Sequence, residues 1–258
     1  MNIVLFAACR VGYEIANFFG ENNEPLSGLV LDSKDDSGLN RDIIAASKVP
    51  QEKIYYSDSL YTEQTLADLI NLNADLFILS WWPYIIKEAL IKSPKMGCLN
   101  FHPSYLPYNR GKHYNFWAIV ENAPYGVTLH FVDKGVDTGD IAFQSMIETS
   151  WEDTGETLWR NAQSEIVRLF KEKFPEIKRG VLPRIPQDLN TGSFHKADEL
   201  HRASEIDLEK KYAAGDLLNL LRARTFPPYP AAWFVDKGQK YEVRVEIKKL
   251  KTINRDNT

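Results

Sequence analysis

Apolar and polar positions fall in blocks along the first half of the chain. Ile3 to Ala7 is an unbroken apolar run, the pattern of a strand buried on both faces. Behind it, Ile15, Phe18 and Phe19 recur at helical spacing. Gly28 to Leu31 predicts a second strand, Ile43, Ile44 and Ala46 a helix, and Ile54 to Tyr56 a third strand. Thr65 to Leu72 reads as a helix and Leu76 to Leu79 as a fourth strand. Strands alternating with helices imply a doubly wound, mainly parallel α/β sheet.

Sheets of this kind take ligands at the carboxyl ends of their strands. Two segments fall there: Ser80 to Tyr84, and Asn100 to Pro103 after an apolar run from Met96. Tyr125 to Val132 and Ile141 to Ile147 predict two further strands. Asp153 or Thr154 is placed to cap a helix carrying Leu158, Ala162, Ile166, Leu169 and Phe170. After about residue 190 the character changes. A charged helical stretch ends in Leu217, Leu218, Leu220 and Leu221, and Phe226 to Pro230 stops it. Ala232 to Val235 and Tyr241 to Ile247 then flank a hairpin turn at Asp236-Lys237-Gly238. The expected architecture is a Rossmann-like α/β domain over residues 1–190 and a small helix-plus-hairpin subdomain over 191–258. That tail is too small for a core of its own and is expected to pack on the main domain.

Composition narrows the chemistry. The 258 residues carry a formal net charge of −4, so no polyanion partner is advertised and no nucleic acid is expected. Cys9 and Cys98 are far apart in apolar surroundings; they predict buried, reduced thiols, with neither a disulfide nor a metal site. No basic region precedes Ile3 to Ala7 and no run is long enough for a membrane span, so the expected location is the cytoplasm. The first strand-to-helix turn, Ala7 to Gly12, lacks the glycine pattern that admits a pyrophosphate.

The informative run is Cys98-Leu99-Asn100-Phe101-His102-Pro103-Ser104-Tyr105-Leu106-Pro107, followed by Arg110-Gly111. Asn100 and His102 are two apart on an extended segment, so both side chains point to one face. An amide donor beside an imidazole suits oxyanion stabilisation and proton transfer. Downstream, Gly135-Val136-Asp137-Thr138-Gly139-Asp140 offers a carboxylate on a glycine-flanked loop, Asp137 or Asp140. His130 reads as a structural strand residue, and His195 and His201 as solvent-facing.

In combination these motifs resemble the folate-dependent formyltransferases, over about residues 1–185. The resemblance implies a catalytic trio of Asn100, His102 and Asp137. It also implies N10-formyltetrahydrofolate as formyl donor, its pterin held by the loops around Trp81, Trp82, Tyr84, Ile85, Asp133 and Asp137. The paired tryptophans depart from the smaller residues usual in the first loop, so core aromatics are the other reading. Transfer would be direct. The acceptor amine attacks the formyl carbon, and Asn100 with a protonated His102 stabilises the tetrahedral oxyanion. Asp137 orients His102 and raises its pKa. No metal is needed.

Three acceptors compete. A methionyl-tRNA formyltransferase carries a longer, commonly basic C-terminal barrel, and the glycinamide ribonucleotide enzyme a glycine-rich phosphate loop. The tail from Gly215 to Pro230 is most similar to sugar N-formyltransferases, which act on nucleotide-linked amino-dideoxy sugars of surface polysaccharide. This implies a 3- or 4-amino sugar on dTDP, a homodimer, and acceptor contacts from Lys112, His113, Tyr114, Arg222, Arg224 and Phe226. The arginines suit a pyrophosphate; a solvated cationic face is their other reading. A non-catalytic folate or sugar-nucleotide binding relative is the alternative from a different class.

Overall fold

The computed structural model describes residues 1–250; residues 251–258 of the expected tail subdomain lie outside the described residues. The elements run β1 (Ile3–Ala7), α1 (Cys9–Glu21), β2 (Gly28–Leu31), α2 (Asn40–Ser47), β3 (Ile54–Tyr56), α3 (Glu63–Asn71), β4 (Leu76–Ser80), α4 (Glu88–Ile91) and β5 (Cys98–His102). They continue through β6 (Arg110–Gly111), α5 (Tyr114–Val120), β7 (Gly126–Phe131), β8 (Ile141–Met146), α6 (Gly155–Lys178), β9 (Phe194–His195), α7 (Glu199–Ala203), α8 (Ala214–Ala223), β10 (Ala232–Asp236) and β11 (Gln239–Val243).

A seven-stranded sheet has the order β3-β2-β1-β4-β5-β7-β8. The strands from β3 to β5 are parallel to their neighbours. β7 and β8 extend the sheet antiparallel, as the expected mainly parallel α/β class allows. β1 and β4 are buried along their whole length, which is why they read as continuous apolar runs. Their alternate residues feed two cores. Ile3, Leu5 and Ala7 meet α1 and α6 through Ile15, Phe19 and Phe170. Val4, Phe6, Phe77 and Leu79 meet Leu60, Leu69, Trp82 and Leu90 on the other face.

Local chemistry sets the ends of the helices. Thr154, not Asp153, is the N-cap of α6: its side chain accepts from the Thr157 amide and the reciprocal bond completes a capping box. A cap of this kind contributes about 1 kcal/mol. At the first turn Gly12 packs so closely that a Cβ would stand 2.9 Å from the Ala7 carbonyl carbon. That glycine serves helix-to-strand packing. Cys98 is buried as expected, but Cys9 is exposed. It opens α1 with a positive φ of 55°, which turns its side chain away from the core.

The tail packs on the main domain. Leu220, Leu221, Ala223 and Ala232 join the α1/α6 core. The expected single charged helix is broken in two, α7 and α8. Between them the Trp233 amide donates to Ser204 and the Ile206 amide donates to Trp233, at 3.0 and 2.7 Å, so that stretch is pulled into extended pairing beside β10. The hairpin partner ends at Val243, short of the expected Ile247, because it pairs with Ala232 to Asp236 and Pro230 upstream has no amide to donate. Among the described residues, no helix is long and apolar enough to cross a membrane.

Candidate active site

β5 presents Phe101 to the α6 core, where its ring lies 5.2 Å from that of Phe170, and presents Asn100 and His102 to the opposite face. That face opens into a cleft of about 650 Å³ lined by both residues. Pro103 and Ser104 leave the strand along a fixed path: Thr128 on β7 donates to the Ser104 carbonyl at 2.7 Å and accepts from the Leu106 amide at 3.1 Å.

The antiparallel register sets Asn100 directly opposite His130. His130 Nδ1 lies 2.9 Å from the Phe131 carbonyl. A carbonyl only accepts, so Nδ1 carries a proton. His130 Nε2 stands 3.1 Å from Asn100 Nδ2, and in the neutral ring it accepts from that amide. His130 therefore orients Asn100. Expected as a structural strand residue, it belongs to the site instead, and only strand pairing reveals it.

Asp137 arrives on the loop after β7 in a left-handed conformation, φ +54°. Its Oδ2 accepts from the Gly111 amide at 2.9 Å and lies 3.5 Å from His102 Nδ1. Its Oδ1 lies 3.5 Å from His130 Nε2. Burial by itself would raise this carboxyl, but the positive charge that the imidazoles carry when protonated, His102 first, and the Gly111 amide outweigh it and hold the group well below the usual range. Asp137 is thus an anion facing two rings.

His102 departs from expectation. Burial pushes its pKa down, and the upward pull of Asp137 does not restore it; a protonated resting imidazole is not what this environment favours. With Nδ1 toward the carboxylate, Nε2 has no hydrogen-bond partner in the protein. The resting group is a neutral base. His102, His130 and Asp137 bring ligand atoms within 4.8 Å of one another, a grouping able to hold a metal. Their separation along the chain does not reveal this grouping.

The expected folate residues all line the cleft. Trp82 is buried against Phe6, ring centroids 5.3 Å apart, with its Nε1 unpartnered, so it fills the core and borders the cleft at once. Trp81 stands in a left-handed conformation, φ +57°, edge-on to Tyr114. Tyr84 donates to Asp32 at 2.7 Å, and Ile85 is 83% exposed. Asp133 Oδ1 accepts from the Gly135 amide and the Thr138 hydroxyl at 2.9 and 2.7 Å, which folds the loop that delivers Asp137.

The expected acceptor residues divide. Lys112 and Tyr114 line the cleft; burial drives the Tyr114 hydroxyl well above its ordinary range. His113 does not line it. Its Nε2 lies 3.3 Å from the Ala197 carbonyl, and burial lowers its pKa. Arg222 corrects the expectation of a free phosphate ligand. It is 8% exposed; its Nη1 donates to the Ser150 and Asp153 carbonyls at 2.9 and 2.8 Å, and its Nε to Asn219 at 2.9 Å. It ties α8 to the turn before α6. Arg224 donates to the Pro230 carbonyl, and Phe226 packs on Trp159 and Tyr229; neither lines the cleft. His195, expected in solvent, is held between Glu121 and Glu199 at 2.8 and 3.0 Å and stacked 3.7 Å from Trp117. It lines the cleft wall.

The formyl transferase family matches residues 28–172, and the N-formyltransferase dimerization C-terminal domain matches residues 199–249. A methionyl-tRNA formyltransferase from Carboxydothermus hydrogenoformans is 30% identical over 71% of this chain, and the match spans 58% of that relative. A 4-N formyltransferase from Francisella tularensis superposes with a TM-score of 0.80 at 25% identity, covering 96% of this chain and 98% of that one. The formyltransferase PseJ from Anoxybacillus kamchatkensis, solved with UDP-4,6-dideoxy-4-formamido-L-AltNAc and tetrahydrofolate, superposes with a TM-score of 0.57 at 28% identity, covering 78% and 89%.

Proposed function

The chain belongs to the formyl transferase family, and from that premise we propose that it moves a formyl group from N10-formyltetrahydrofolate to the amine of a nucleotide-linked amino-dideoxy sugar. The observation that carries formyl transfer is the convergence of Asn100, His102 and Asp137 on one cleft. The acceptor reading rests on likeness along nearly the whole chain to a 4-N formyltransferase and on a relative solved with a nucleotide formamido sugar.

The cleft suits the folate. It has a volume of about 650 Å³ and an apolar wall of Leu79, Trp82, Ile86 and Val132, and the buried Trp82 Nε1 lacks a partner. Trp81 to Ile85 and Asp133 to Asp137 would hold the pterin, and the bound folate supplies the formyl carbon. The chain's own residues do the rest. Neutral His102, through Nε2, takes the proton that the acceptor amine releases on attack and returns it toward the leaving nitrogen. Asn100, oriented by His130, donates its second N–H to the formyl oxygen as charge develops there. Such a donor contributes about 3–4 kcal/mol. Asp137 stabilises the imidazolium while it carries the proton. Lys112 and Tyr114 border the acceptor side.

Residues 1–190 carry the transfer in this reading, and 191–258 serve acceptor binding and pairing of two copies. The dimerization-domain match supports that pairing, as do Val235 and Tyr241, apolar side chains exposed on the hairpin. The 30% likeness to a methionyl-tRNA enzyme favours a second acceptor reading. One screen separates the two. Nucleotide amino sugars on dTDP, UDP and GDP, and methionyl-tRNA beside them, are incubated with the folate donor, and tetrahydrofolate release and product mass are followed. Turnover with a sugar nucleotide alone is expected; turnover with the tRNA alone overturns the acceptor assignment.

A further inference from the structure

Asp137 is held from two directions, and both holds lead to one segment of chain, residues 185–195. At one end of this segment Ile185 and Ile141 exchange backbone hydrogen bonds of 3.0 and 2.8 Å. At the other, Ser193 and His195 accept from the Arg110 and Lys112 amides, each at 3.0 Å, pairing β9 with β6. Between β9 and Asp137 stands Gly111. Its amide reaches the Asp137 carboxylate, and a Cβ there would fall 2.3 Å from the His195 carbonyl oxygen.

The second hold is Gln187. Its Nε2 donates to the Asp137 carbonyl at 3.0 Å and to the Gly139 carbonyl at 2.7 Å. These carbonyls flank the turn in which Asp137 adopts its left-handed conformation, a region that residues with a Cβ enter only at a cost. Gly139 itself is pressed against β7, where a Cβ would stand 1.9 Å from the Phe131 carbonyl oxygen. Gln187 does not line the cleft, so it reaches the reacting groups only through Asp137. The segment also lies between the two matched family regions, 28–172 and 199–249.

We propose that Gln187 is a positioning residue: by clamping the carbonyls of Asp137 and Gly139 it holds the turn that aims the Asp137 carboxylate at His102 and His130. The inference rests on the reading of Asp137 as a member of the reacting group. A misplacement of about 1 Å at such a group costs on the order of 10² in rate.

The test is a double-mutant cycle on the full chain, Gln187→Met with Asp137→Asn, read in two ways. Met keeps the length of the side chain and removes both donors; Gln187→Glu keeps the shape and turns an acceptor toward the carbonyls. Thermal unfolding confirms that each variant is folded. In the first reading, the ring signals of His102 and His130 are recorded by NMR at pH 7 without substrate. The signals are expected to move in Gln187→Met toward their Asp137→Asn positions, and Gln187→Met is expected to add nothing once Asp137 is replaced. In the second, kcat with the acceptor found in the screen should fall about 10- to 100-fold in both Gln187 variants, with KM within about twofold. In the Asp137→Asn background the loss should be under about twofold. Unmoved ring signals in folded Gln187→Met and Gln187→Glu overturn the proposal, as does an equal loss of kcat in both backgrounds. If no acceptor turns over, it is the functional reading that fails, and the ring signals still decide the role of Gln187.

Discussion

The two halves of the central sheet are built from the same strand geometry and put to different uses. In the parallel half, β1, β2 and β4 are apolar from end to end except for Ser80, and both faces are covered by helices and loops. Where the antiparallel extension meets the parallel half, β5 and β7 turn Asn100, His102, Thr128 and His130 to one face. A buried polar group needs a partner, and the antiparallel register supplies one: Asn100 finds His130, and Thr128 holds the exit of β5. The doubly wound part of the fold supplies the core and, beyond β4, the Trp81 to Ile85 wall of the cleft. The chemistry sits where a reversed strand brings a second set of side chains alongside the first.

Substitutions can break or sharpen this contrast. The largest effect is expected at His102. His102→Asn keeps a donor and removes the titrating ring, so kcat should drop by about 10²–10⁴, with the melting temperature close to wild type; turnover near wild type would remove the proton role. Asn100→Ala should cost about 10²–10³ in kcat, again with little change in stability, measured by steady-state turnover with both substrates saturating. The parallel half should answer the opposite way. Phe77→Ala, on a fully buried ring 5.3 Å from Phe6, should lose about 3–5 kcal/mol of stability by denaturant unfolding while the surviving folded fraction keeps its kcat. Arg222→Ala should behave like the core. It leaves the Ser150 and Asp153 carbonyls without their donor and should cost about 1–3 kcal/mol; a selective rise in the acceptor's KM at unchanged stability would return Arg222 to the phosphate role.

The smallest effect concerns pH. Burial sets the folded pKa of His102 below its ordinary value, so the neutral base prevails at pH 7 and activity should fall as the pH drops through that lowered pKa. Asp137 pulls the same pKa upward. Removing its charge in Asp137→Asn therefore lowers the pKa further, and the acid limb of the kcat profile should move to lower pH. A limb that moves upward, with the acceptor saturating, would contradict the assignment.

The hydrophobic pattern by itself determined the strands from β1 to β5, the helices α1 to α3, and the shared face of Asn100 and His102, because periods of 2 and 3.6 are properties of a few consecutive residues; the short α4 between β4 and β5 was not legible in it. The run around Asn100, His102 and Asp137 also carried the resemblance to the family. What the sequence left open depends on partners far away along the chain. His130 joins the site because antiparallel register sets it opposite Asn100. Arg222 leaves the phosphate role because the turn before α6 claims its guanidinium. His195 is sandwiched, not solvated, because β9 pairs with β6. The resting state of His102 follows from the same cause. A neighbouring carboxylate can be guessed from spacing, but the desolvation that outweighs it exists only once the tertiary structure has closed around the ring.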